Sequence, residues 1–518
     1  MEILDRTLLG AYQPFSWPMW LVGAAIAIAV SIVLYNLLLH PLSSLPGPKL
    51  WAATPIPYTR AWLSGRMSNN IHKLHERYGD VVRVAPNRVS FAHPDAYNAI
   101  RGHRKAGHNE HGKDPIFYKM SLHNILGANR HDHARFRKIL SHGFSARAMQ
   151  DQQPLITRYI DLLMRRLQDL TNGGREETVT DIGAWFNFTT FDIIGDLSFG
   201  VPFGCLETSS YHPWVTAILH GVKEFGMLLV INWHFPNLFK LVKALSPWYH
   251  PGKHTDEQGE YARVQVAKRL SSGMERPDFI QALKNGAKAN NGRPLTTEEM
   301  AMNARLLILA GSETTATALS ATTYYLATHP RVHARLAEEV RQQFKSEDEI
   351  DFFNVNRLKY MLAVLDEAMR LFPPVPANLP RKAAKGGDVI LGWQIPQDTG
   401  LEIWPWAVNH LSRNFTEPDK FIPERWLDAN SFNGVEFDKS RHGALQPFSV
   451  GPRNCIGKNL AYVEMRVILA RLIWNFDLAL GDEGSRAFPE AKSYGLWIKK
   501  PLNIRLIPVE ETNQNNGR

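Results

Sequence analysis

Cysteine is almost absent from the chain, which carries only Cys205 and Cys455 among its 518 residues. Two thiols so far apart cannot form a disulfide framework, so the sequence excludes the disulfide-rich secreted class. A basic arm is missing as well: the net charge is +9, yet Lys and Arg are scattered along the chain. We therefore expect no nucleic-acid partner, and a basic face for an acidic protein is the better interpretation of the charge.

A cleavage site is missing from the N-terminal region, although a long apolar run lies there. Residues 20–39 are almost all apolar, and twenty helical residues span about 30 Å, the thickness of a bilayer's hydrocarbon core. A cleaved signal peptide is the alternative, but acidic residues stand beside the single Arg6 and no small-x-small site follows. Lys and Arg residues mostly follow the apolar run rather than precede it, which predicts that the main body of the chain lies on the cytosolic side of the membrane. These features predict a lumenal segment at 1–19, a transmembrane signal-anchor helix at 20–39 and a proline-rich hinge at 40–48.

Hydrophobic periodicity predicts a mainly α chain with a few short strands. Alternating apolar residues at 78–91 predict a β-hairpin, whereas 102–129 lacks periodicity and is typical of a long loop. Successive amphipathic helices are expected over 150–290, and a second hairpin over 493–507 around a Lys-Lys-Pro turn. Length alone favours two or more domains.

One predicted helix is unusually long and carries polar groups at its centre. Thr296 and Glu299 form a capping box, after which no helix breaker occurs until about residue 328. Such a helix must be largely buried, yet its centre reads Ala310-Gly311-Ser312-Glu313-Thr314-Thr315. Buried acid and hydroxyl groups are costly unless they are paired. They indicate either hydrogen bonds back to the helix carbonyls or a functional site.

Cys455 lies in the stretch Phe448-Ser449-Val450-Gly451-Pro452-Arg453-Asn454-Cys455-Ile456-Gly457. Arg453 and the start of the helix that follows favour a thiolate. Gly451 and Gly457 allow tight turns and the close approach of a flat ligand. A packed cysteine in a Gly/Pro turn is the alternative. The complete pattern Phe-x-x-Gly-x-Arg-x-Cys-x-Gly, however, resembles the haem-thiolate signature of the cytochrome P450 family.

The resemblance covers the chain from the hinge to residue 507, and it implies roles for the polar helix centre. The segment is similar to the family's oxygen-activation motif, (Ala/Gly)-Gly-x-(Asp/Glu)-Thr-(Thr/Ser). Ala310 and Gly311 would leave room over the haem, and Thr314 and Glu313 would supply protons. Cys455 would be the axial thiolate ligand of the iron in haem b (iron protoporphyrin IX), with Phe448, Gly451, Arg453 and Gly457 around it.

Further positions resemble the family's supporting motifs. Three residues correspond to its structural Glu-Arg-Arg network: Glu367, Arg370 and Arg425. His133 and Arg137 stand where the family has a Trp-x-x-x-Arg pair that reaches a haem carboxylate, and the i,i+4 spacing puts both on one helix face. An ordinary basic solvated face is the alternative for this pair. Arg381 would meet the second haem carboxylate.

The resemblance also implies the fold and the reaction. We expect a mainly α fold with small β-sheets, in which one haem-thiolate domain at 49–507 follows a single N-terminal transmembrane helix and precedes a polar disordered tail at 508–518. The enzyme would hydroxylate or epoxidise a lipophilic small molecule with O2. The chain has no room for a flavin or nicotinamide domain, so electrons would come from NADPH through a membrane-bound NADPH-cytochrome reductase, with cytochrome b5 as a further candidate donor.

Docking, substrate and location follow from the same resemblance. The reductase would bind a basic face near Arg135, Lys138 and Lys458. The apolar stretch 225–236 would be core or would dip into the lipid of the endoplasmic reticulum membrane, with the catalytic domain facing the cytosol. The chain looks similar to fungal members that modify polyketide, terpenoid or mycotoxin precursors. Three alternatives remain: a haem-thiolate isomerase or dehydratase that needs no external electrons, a catalytically silent haem- or ligand-binding protein, and a membrane scaffold without haem.

Overall fold

The computed structural model describes residues 17–105, 107–119, 123–245, 253–289, 293–428 and 431–509. The expected lumenal segment up to residue 16 and the expected tail from residue 510 lie outside the described residues. The N-terminal helix begins at Trp17 rather than at residue 20, and the last strand continues to Pro508.

The N-terminal apolar helix is tied to the body at its C-terminal end. Helix α1 (Trp17–Leu34) continues into one π-turn (Tyr35–Leu39), and the 21 residues from Met19 to Leu39 are long and apolar enough to cross a membrane. The Asn36 amide donates to the carbonyl of Ala53 at 2.9 Å, and the buried Arg83 guanidinium donates to the carbonyl of Asn36 at 2.8 Å. The segment that follows, 40–48, is irregular and buries Leu42 in the body. The apolar helix and the body are thus joined by specific bonds.

Helices build most of the body. They are α2 (Lys49–Ala53), α3 (Ile56–Leu63), α4 (Met67–Tyr78), α5 (Asp95–Arg101), α6 (Arg130–Leu140), α7 (Ala146–Leu170), α8 (Ile182–Phe199), α9 (Cys205–Thr208), α10 (Pro213–His234), α11 (Pro236–Leu245), α12 (Lys253–Ser271), α13 (Phe279–Ala289), α14 (Thr297–Thr328), α15 (Pro330–Gln343), α16 (Lys359–Leu371), α17 (Pro405–Asn409) and α18 (Lys458–Asn475). The long α14 packs against α8, α12, α16 and α18, which places it at the centre of the molecule.

The central helix has the ends and the interior that the sequence predicts. Thr296 accepts the N–H of Glu299, and the Glu299 carboxylate accepts the N–H of Thr296, so both halves of the capping box are present. Inside α14 the hydroxyls of Ser312, Thr314 and Thr322 each donate to the carbonyl four residues earlier. Much of the buried polarity is therefore satisfied within the helix.

Short strands form small sheets around the helices. They are β1 (Val81–Ala85), β2 (Arg88–Phe91), β3 (Gly112–Lys113), β4 (Thr178–Asp181), β5 (Arg381–Lys382), β6 (Asp388–Ile390), β7 (Trp393–Ile395), β8 (Gly400–Glu402), β9 (Ser431–Phe432), β10 (Val435–Glu436), β11 (Phe476–Leu480), β12 (Lys492–Ser493), β13 (Trp497–Ile498) and β14 (Asn503–Pro508). One sheet has the order β1-β2-β8-β5-β3 and another the order β11-β14-β4, and three hairpins pair β6 with β7, β9 with β10 and β12 with β13. The prediction of a mainly α fold with small sheets behind one N-terminal apolar helix is confirmed.

The predicted C-terminal hairpin over 493–507 is wrong. The chain reverses earlier, between β12 and β13, where Gly495 adopts a φ of +108° that other residues rarely accept. Strand β14 then pairs with β11, from Phe476 against Pro508 to Leu480 against Ile504. The Lys-Lys-Pro segment is left between the two pairings as a connection.

Both Asn-x-Thr sequences are buried in the folded body. Asn187 lies in α8 and donates to the hydroxyl of Tyr211 at 2.9 Å. The Asn414 amide donates to the carbonyls of Ala92 and Val408, both at 3.0 Å. Since glycan attachment needs an accessible asparagine amide, the fold shields both sites.

Candidate active site

A cavity of about 1300 Å³ lies between α14 and the loop that contains Cys455. Helix α14 supplies Ala310, Gly311 and Thr314 to its wall, and the cysteine loop supplies the residues from Gln446 to Ser449 and from Arg453 to Gly457. The segment that follows α16 lines the cavity as well, with Val375, Ala377, Asn378 and Leu379. The side chains of α10 close another wall: Phe225, Leu228, Leu229 and Asn232.

The cysteine loop depends on one glycine with a left-handed backbone. Gly451 has a φ of +76°, and a Cβ atom built there would lie 2.0 Å from the carbonyl oxygen of Arg101. No other residue fits this position without moving α5. At Gly457 a Cβ would meet only a ring carbon of Phe144 at 3.6 Å, an ordinary contact. The protein packing therefore explains Gly451, whereas Gly457 faces the cavity and leaves space for a ligand.

The surroundings of Cys455 do not by themselves favour a thiolate, contrary to the sequence-based expectation. Burial raises the pKa of this thiol above its ordinary value, although the Gly457 N–H and the charges of Arg137 and Lys458 oppose the rise. The residue itself is exposed to the cavity. A metal ion bound to the sulfur would remove the proton, because coordinating thiols are deprotonated.

Four cationic side chains converge at the edge of the cavity: Arg101, Lys113, Arg381 and Arg453. Among the described residues the acidic side chain that meets them is Glu110, which accepts from Arg453 at 2.6 Å and from Arg381 at 3.5 Å. Burial and the neighbouring cations lower the pKa of Lys113 well below its ordinary value and that of Arg381 to about 10.

This cluster of cations has hydrogen-bond donors that two carboxylates could pair with. The buried Nε atoms of Arg101 and Arg381 have no hydrogen-bond partner among the described residues. Arg101, Lys113 and Arg453 line the cavity, whereas Arg381 lies behind them on β5. Buried cations are retained at a cost unless they are paired, and guanidinium groups suit carboxylates. The residues present therefore fit the two carboxylates of the haem that the sequence resemblance implies.

His133 and Arg137 both line the cavity, but Arg137 already has partners. Its guanidinium donates to the carbonyl and side-chain oxygens of Asn454 at 2.5 and 2.7 Å, which ties α6 to the cysteine loop. Burial and the charges of Arg453 and Lys113 lower the pKa of His133 to about 4. At neutral pH His133 is therefore an uncharged donor.

Thr314 and Gly311 form the part of the cavity wall that lies on α14. The Thr314 hydroxyl donates to the carbonyl of Ala310 at 2.6 Å. A Cβ on Gly311 would lie 2.9 Å from the Cδ1 atom of Ile194 in α8. Because glycine has no side chain, α14 and α8 can pack closely at position 311, and no side chain projects from this position into the cavity.

Glu313 is directed away from the cavity into a buried ion pair. Its carboxylate accepts from the Nζ of Lys499 at 2.8 Å, and Lys499 also donates to the hydroxyl of Thr317 at 3.0 Å. The second carboxylate oxygen of Glu313 is buried and has no partner among the described residues. The structure does not place Glu313 among the described residues that line the cavity.

The structure brings the predicted Glu-Arg-Arg residues together with two further donors. Arg370 donates two hydrogen bonds of 2.9 Å to Glu367, and Arg425 donates one of 3.0 Å. Trp426 Nε1 and the backbone N–H of Ile422 complete the set at 2.9 and 3.0 Å. All three ionised side chains are 0% exposed.

Sequence reasoning missed several residues of this site. Arg101, Lys113 and Glu110 lie at or within the long segment 102–129, where lack of periodicity was the one available signal. Glu464 lies on α18 and lines the cavity, and burial raises its pKa to about 8, so that its carboxyl is neutral at pH 7. The sequence around Glu464 is that of an ordinary helix and gave no indication that this residue lines a cavity.

The packing corrects the expectation for Arg135 and favours the core among the two interpretations of 225–236. Arg135 is not a free surface cation, since it pairs with Glu299 at 2.5 Å and with Asp132 at 3.4 Å. The apolar stretch 225–236 belongs to the core and the cavity wall, because Leu229, Val230 and Trp233 are buried.

Comparison with known proteins agrees with this geometry. The sequence matches the cytochrome P450 family over residues 45–506. The trichothecene C-15 hydroxylase of Fusarium sporotrichioides is 44% identical over 500 residues, which cover 96% of this chain and 100% of that protein. The cytochrome P450 monooxygenase astJ of Aspergillus oryzae is 40% identical over 498 residues, covering 96% of this chain and 95% of its own length. Averantin hydroxylase of Dothistroma septosporum is 40% identical over 499 residues, covering 94% of this chain and 90% of its own. Matches of this extent show that the chain belongs to the cytochrome P450 family of monooxygenases, whose reaction uses haem iron, O2 and electrons from a redox partner.

Proposed function

We propose that Cys455 is the axial ligand of haem b and that the chain hydroxylates or epoxidises a lipophilic small molecule in fungal secondary metabolism. The observation that carries the proposal is the cavity between Cys455 and Thr314, with cations at its edge and apolar side chains over most of its wall. Two of the relatives are named as hydroxylases of a trichothecene and of averantin. An apolar cavity of about 1300 Å³ suits a lipophilic precursor together with the haem.

The chain would hold the haem by its sulfur and by its carboxylates. Arg101, Lys113 and Arg453 would bind the carboxylates directly, and Arg381 would stabilise them from behind. The neutral His133 would donate one hydrogen bond at the same edge. Arg137 would act on the cysteine loop through Asn454 rather than on the haem.

Residues on α14 would donate and relay protons on the substrate side of the cavity. When bound, the haem iron with its thiolate ligand supplies the reduction and cleavage of O2. The hydroxyl of Thr314 donates to the Ala310 carbonyl, and rotation about χ1 would turn the same proton into the cavity. Glu313 would reload this hydroxyl through water with a proton taken from the Lys499 ammonium, with which it pairs at 2.8 Å. Lys499 would then regain its proton from solvent water, which supplies the protons consumed in each turnover.

Replacing Thr314 by alanine is expected to separate electron use from product formation. The variant should consume NADPH but lower the product formed per NADPH by about tenfold, because the lost donor stabilised charge in the reaction. Product and peroxide are measured against NADPH consumed. The matched control is Thr322→Ala, which removes the same bond to a carbonyl four residues back, at 2.7 Å, elsewhere on α14. Equal product per NADPH in the two variants would contradict the role of Thr314.

Electrons would arrive from NADPH through a reductase, with cytochrome b5 as a further candidate. Lys138 is exposed on α6, which Arg137 bonds to the cysteine loop, and Lys458 is exposed at the start of α18, directly after that loop. Since Arg135 is already paired, these two lysines carry the proposed docking face.

Charge reversal at the docking face is expected to slow reduction of the haem. Lys138→Glu together with Lys458→Glu should lower the reduction rate by about tenfold at low salt, since steering by opposite charges speeds association. The reduction rate is measured by stopped-flow mixing of the enzyme with the reductase, and the haem spectrum should stay unchanged. The control pair Lys223→Glu and Lys492→Glu reverses the same amount of charge at exposed lysines of α10 and β12, near Tyr494 and outside the described cavity lining. A normal rate in the first pair would refute this face.

The proposed location is the endoplasmic reticulum membrane, with the body in the cytosol. Helix α1 would span the bilayer, since it meets the length and hydropathy of a membrane span. Leu238, Leu241 and Leu245 of α11 are each more than half exposed and share one helix face. They, rather than 225–236, would contact lipid.

Spectroscopy and turnover together test the proposed function. The purified full-length protein should give the reduced-CO Soret band of thiolate-ligated haem and form product only with NADPH and reductase. Turnover without NADPH would favour an isomerase or dehydratase, the band without product would favour a silent binding protein, and no band would favour a scaffold. Deletion of the gene, followed by identification of the compound that accumulates, supplies the substrate for the turnover assay.

A further inference from the structure

The ring of Tyr462 lies against the cysteine loop. Phe448 packs its ring on that of Tyr462, with centroids 5.0 Å apart and planes tilted by 44°. The backbone carbonyl of Phe448 accepts the N–H of Cys455 at 2.8 Å. A change in the position of Phe448 therefore reaches Cys455 through a single hydrogen bond.

The hydroxyl of Tyr462 is held from the other side by helix α16. It donates to Oδ1 of Asp366 at 2.7 Å. Hydrogen bonds to an ionised carboxylate are shorter and stronger than neutral ones. Asp366 directly precedes Glu367, whose side chain is fixed by Arg370 and Arg425. A continuous set of contacts thus runs from the buried ion network to the cysteine loop.

Charges around Asp366 keep this bond in place at neutral pH. Burial raises the pKa of Asp366 to about 6, and Glu367 adds to the rise, while the bond from Tyr462 and the charges of Arg466 and Lys458 oppose it. The carboxylate is therefore mostly ionised at pH 7 and accepts from the Tyr462 hydroxyl.

We propose that Tyr462, fixed by Asp366, is a positioning residue that holds Phe448 against the cysteine loop and so sets the geometry of the sulfur ligand. The inference rests on the proposed assignment of Cys455 to haem iron. Without the hydroxyl bond the Tyr462 ring is free to shift, Phe448 follows it, and the bond from the Cys455 N–H to the Phe448 carbonyl lengthens.

The test is the stability of the thiolate-ligated spectrum in Tyr462→Phe holoenzyme. Its reduced-CO complex should convert from the thiolate form to the thiol form about tenfold faster than the wild type, the effect of losing one hydrogen bond to a charged group. Asp366→Asn keeps an acceptor oxygen for the Tyr462 hydroxyl and should convert about threefold faster, because a neutral bond is weaker than a charged one.

Tyr159→Phe is the matched control, since the Tyr159 hydroxyl donates to Oδ2 of Asp196 at 2.9 Å between α7 and α8. A purely structural role would give both phenylalanine variants the same melting temperature and the same conversion rate. Conversion of Tyr462→Phe at the rate of Tyr159→Phe would overturn the inference. If Tyr462→Phe does not retain haem, the conversion rate of Asp366→Asn becomes the deciding measurement. A conversion rate equal to that of the wild type would count against the inference. A wild type that lacks the thiolate band would instead contradict the proposed function.

Discussion

Replacement of Cys455 by serine is expected to remove both the thiolate-type reduced-CO band and the monooxygenase activity. The wall of the cavity that contains Cys455 offers no second thiol among the described residues, since Cys205 is buried elsewhere, in α9. A serine hydroxyl keeps the loop geometry but is a poor donor of electron density to iron, so O–O cleavage loses its driving contribution. The loss of turnover should exceed about a thousandfold, the scale of removing a group essential to the chemical step.

Cys205→Ser is the control that separates loss of the ligand from loss of a thiol. Cys205 accepts the N–H of His212 at 3.4 Å, and burial raises its pKa to about 11, so it is an unreactive packed thiol. This variant should keep the band and the turnover with a small loss of stability. A Cys455→Ser enzyme with full activity and an unchanged spectrum would show that another group binds the iron.

Replacement of Glu367 by glutamine is expected to prevent formation of a stable holoenzyme. The side chain of Glu367 accepts hydrogen bonds from Arg370, Arg425 and Trp426 in a site that is fully buried. The variant leaves two buried guanidinium groups without a counter-charge, which costs about 3–5 kcal/mol. Since whole domains are stable by about 5–15 kcal/mol, this is a large fraction of the total.

The effect of Glu367→Gln also has a predictable pH dependence. Burial raises the pKa of Glu367, but Arg370 and Arg425 outweigh burial and lower the net value below the ordinary 4.5. A lowered pKa means that the carboxylate stabilises the fold above pH 4.5 and loses this effect as the pH falls through the folded value. The melting temperatures of wild type and variant should therefore differ most at neutral pH and converge in acid.

The matched control for the ion network is an exposed carboxylate. Glu260 pairs with Arg263 at 3.1 Å and its side chain is 67% exposed, so Glu260→Gln should cost at most about 1 kcal/mol. If Glu367→Gln lowered the free energy of unfolding by no more than Glu260→Gln does, the buried network would contribute little to stability.

The parts of the site that could be predicted from sequence are those encoded locally. The cysteine loop, the capped helix α14 and the pair Glu367 and Arg370 each lie within a short segment whose spacing fixes the geometry. Their family pattern identified them before any contact was known. Gly451 illustrates this in part, because its left-handed backbone, with a φ of +76°, favours glycine within the loop itself, before the contact with Arg101 is considered.

The remaining parts depend on contacts between distant segments. Lys499 reaches Glu313 across 186 positions, counted from 313 to 499, and no local pattern links the two. Lys113 faces Arg381 only because β3 pairs with β5. The pairing of β14 with β11 was missed for the same reason, since strand partners follow from the packing of helices around α14 and not from turn residues alone.

With the N-terminal apolar helix placed across a membrane, the bonds that join Asn36 to Ala53 and Arg83 would link bilayer thickness to the orientation of the enzyme. A transmembrane helix that is longer than the local hydrocarbon layer tilts to bury its apolar residues. Because Asn36 sits at the end of the anchor and is bonded to both α2 and β1, a tilt of the helix turns the whole body by the same angle. A thicker or thinner membrane would then raise or lower the exposed leucines of α11 relative to the lipid.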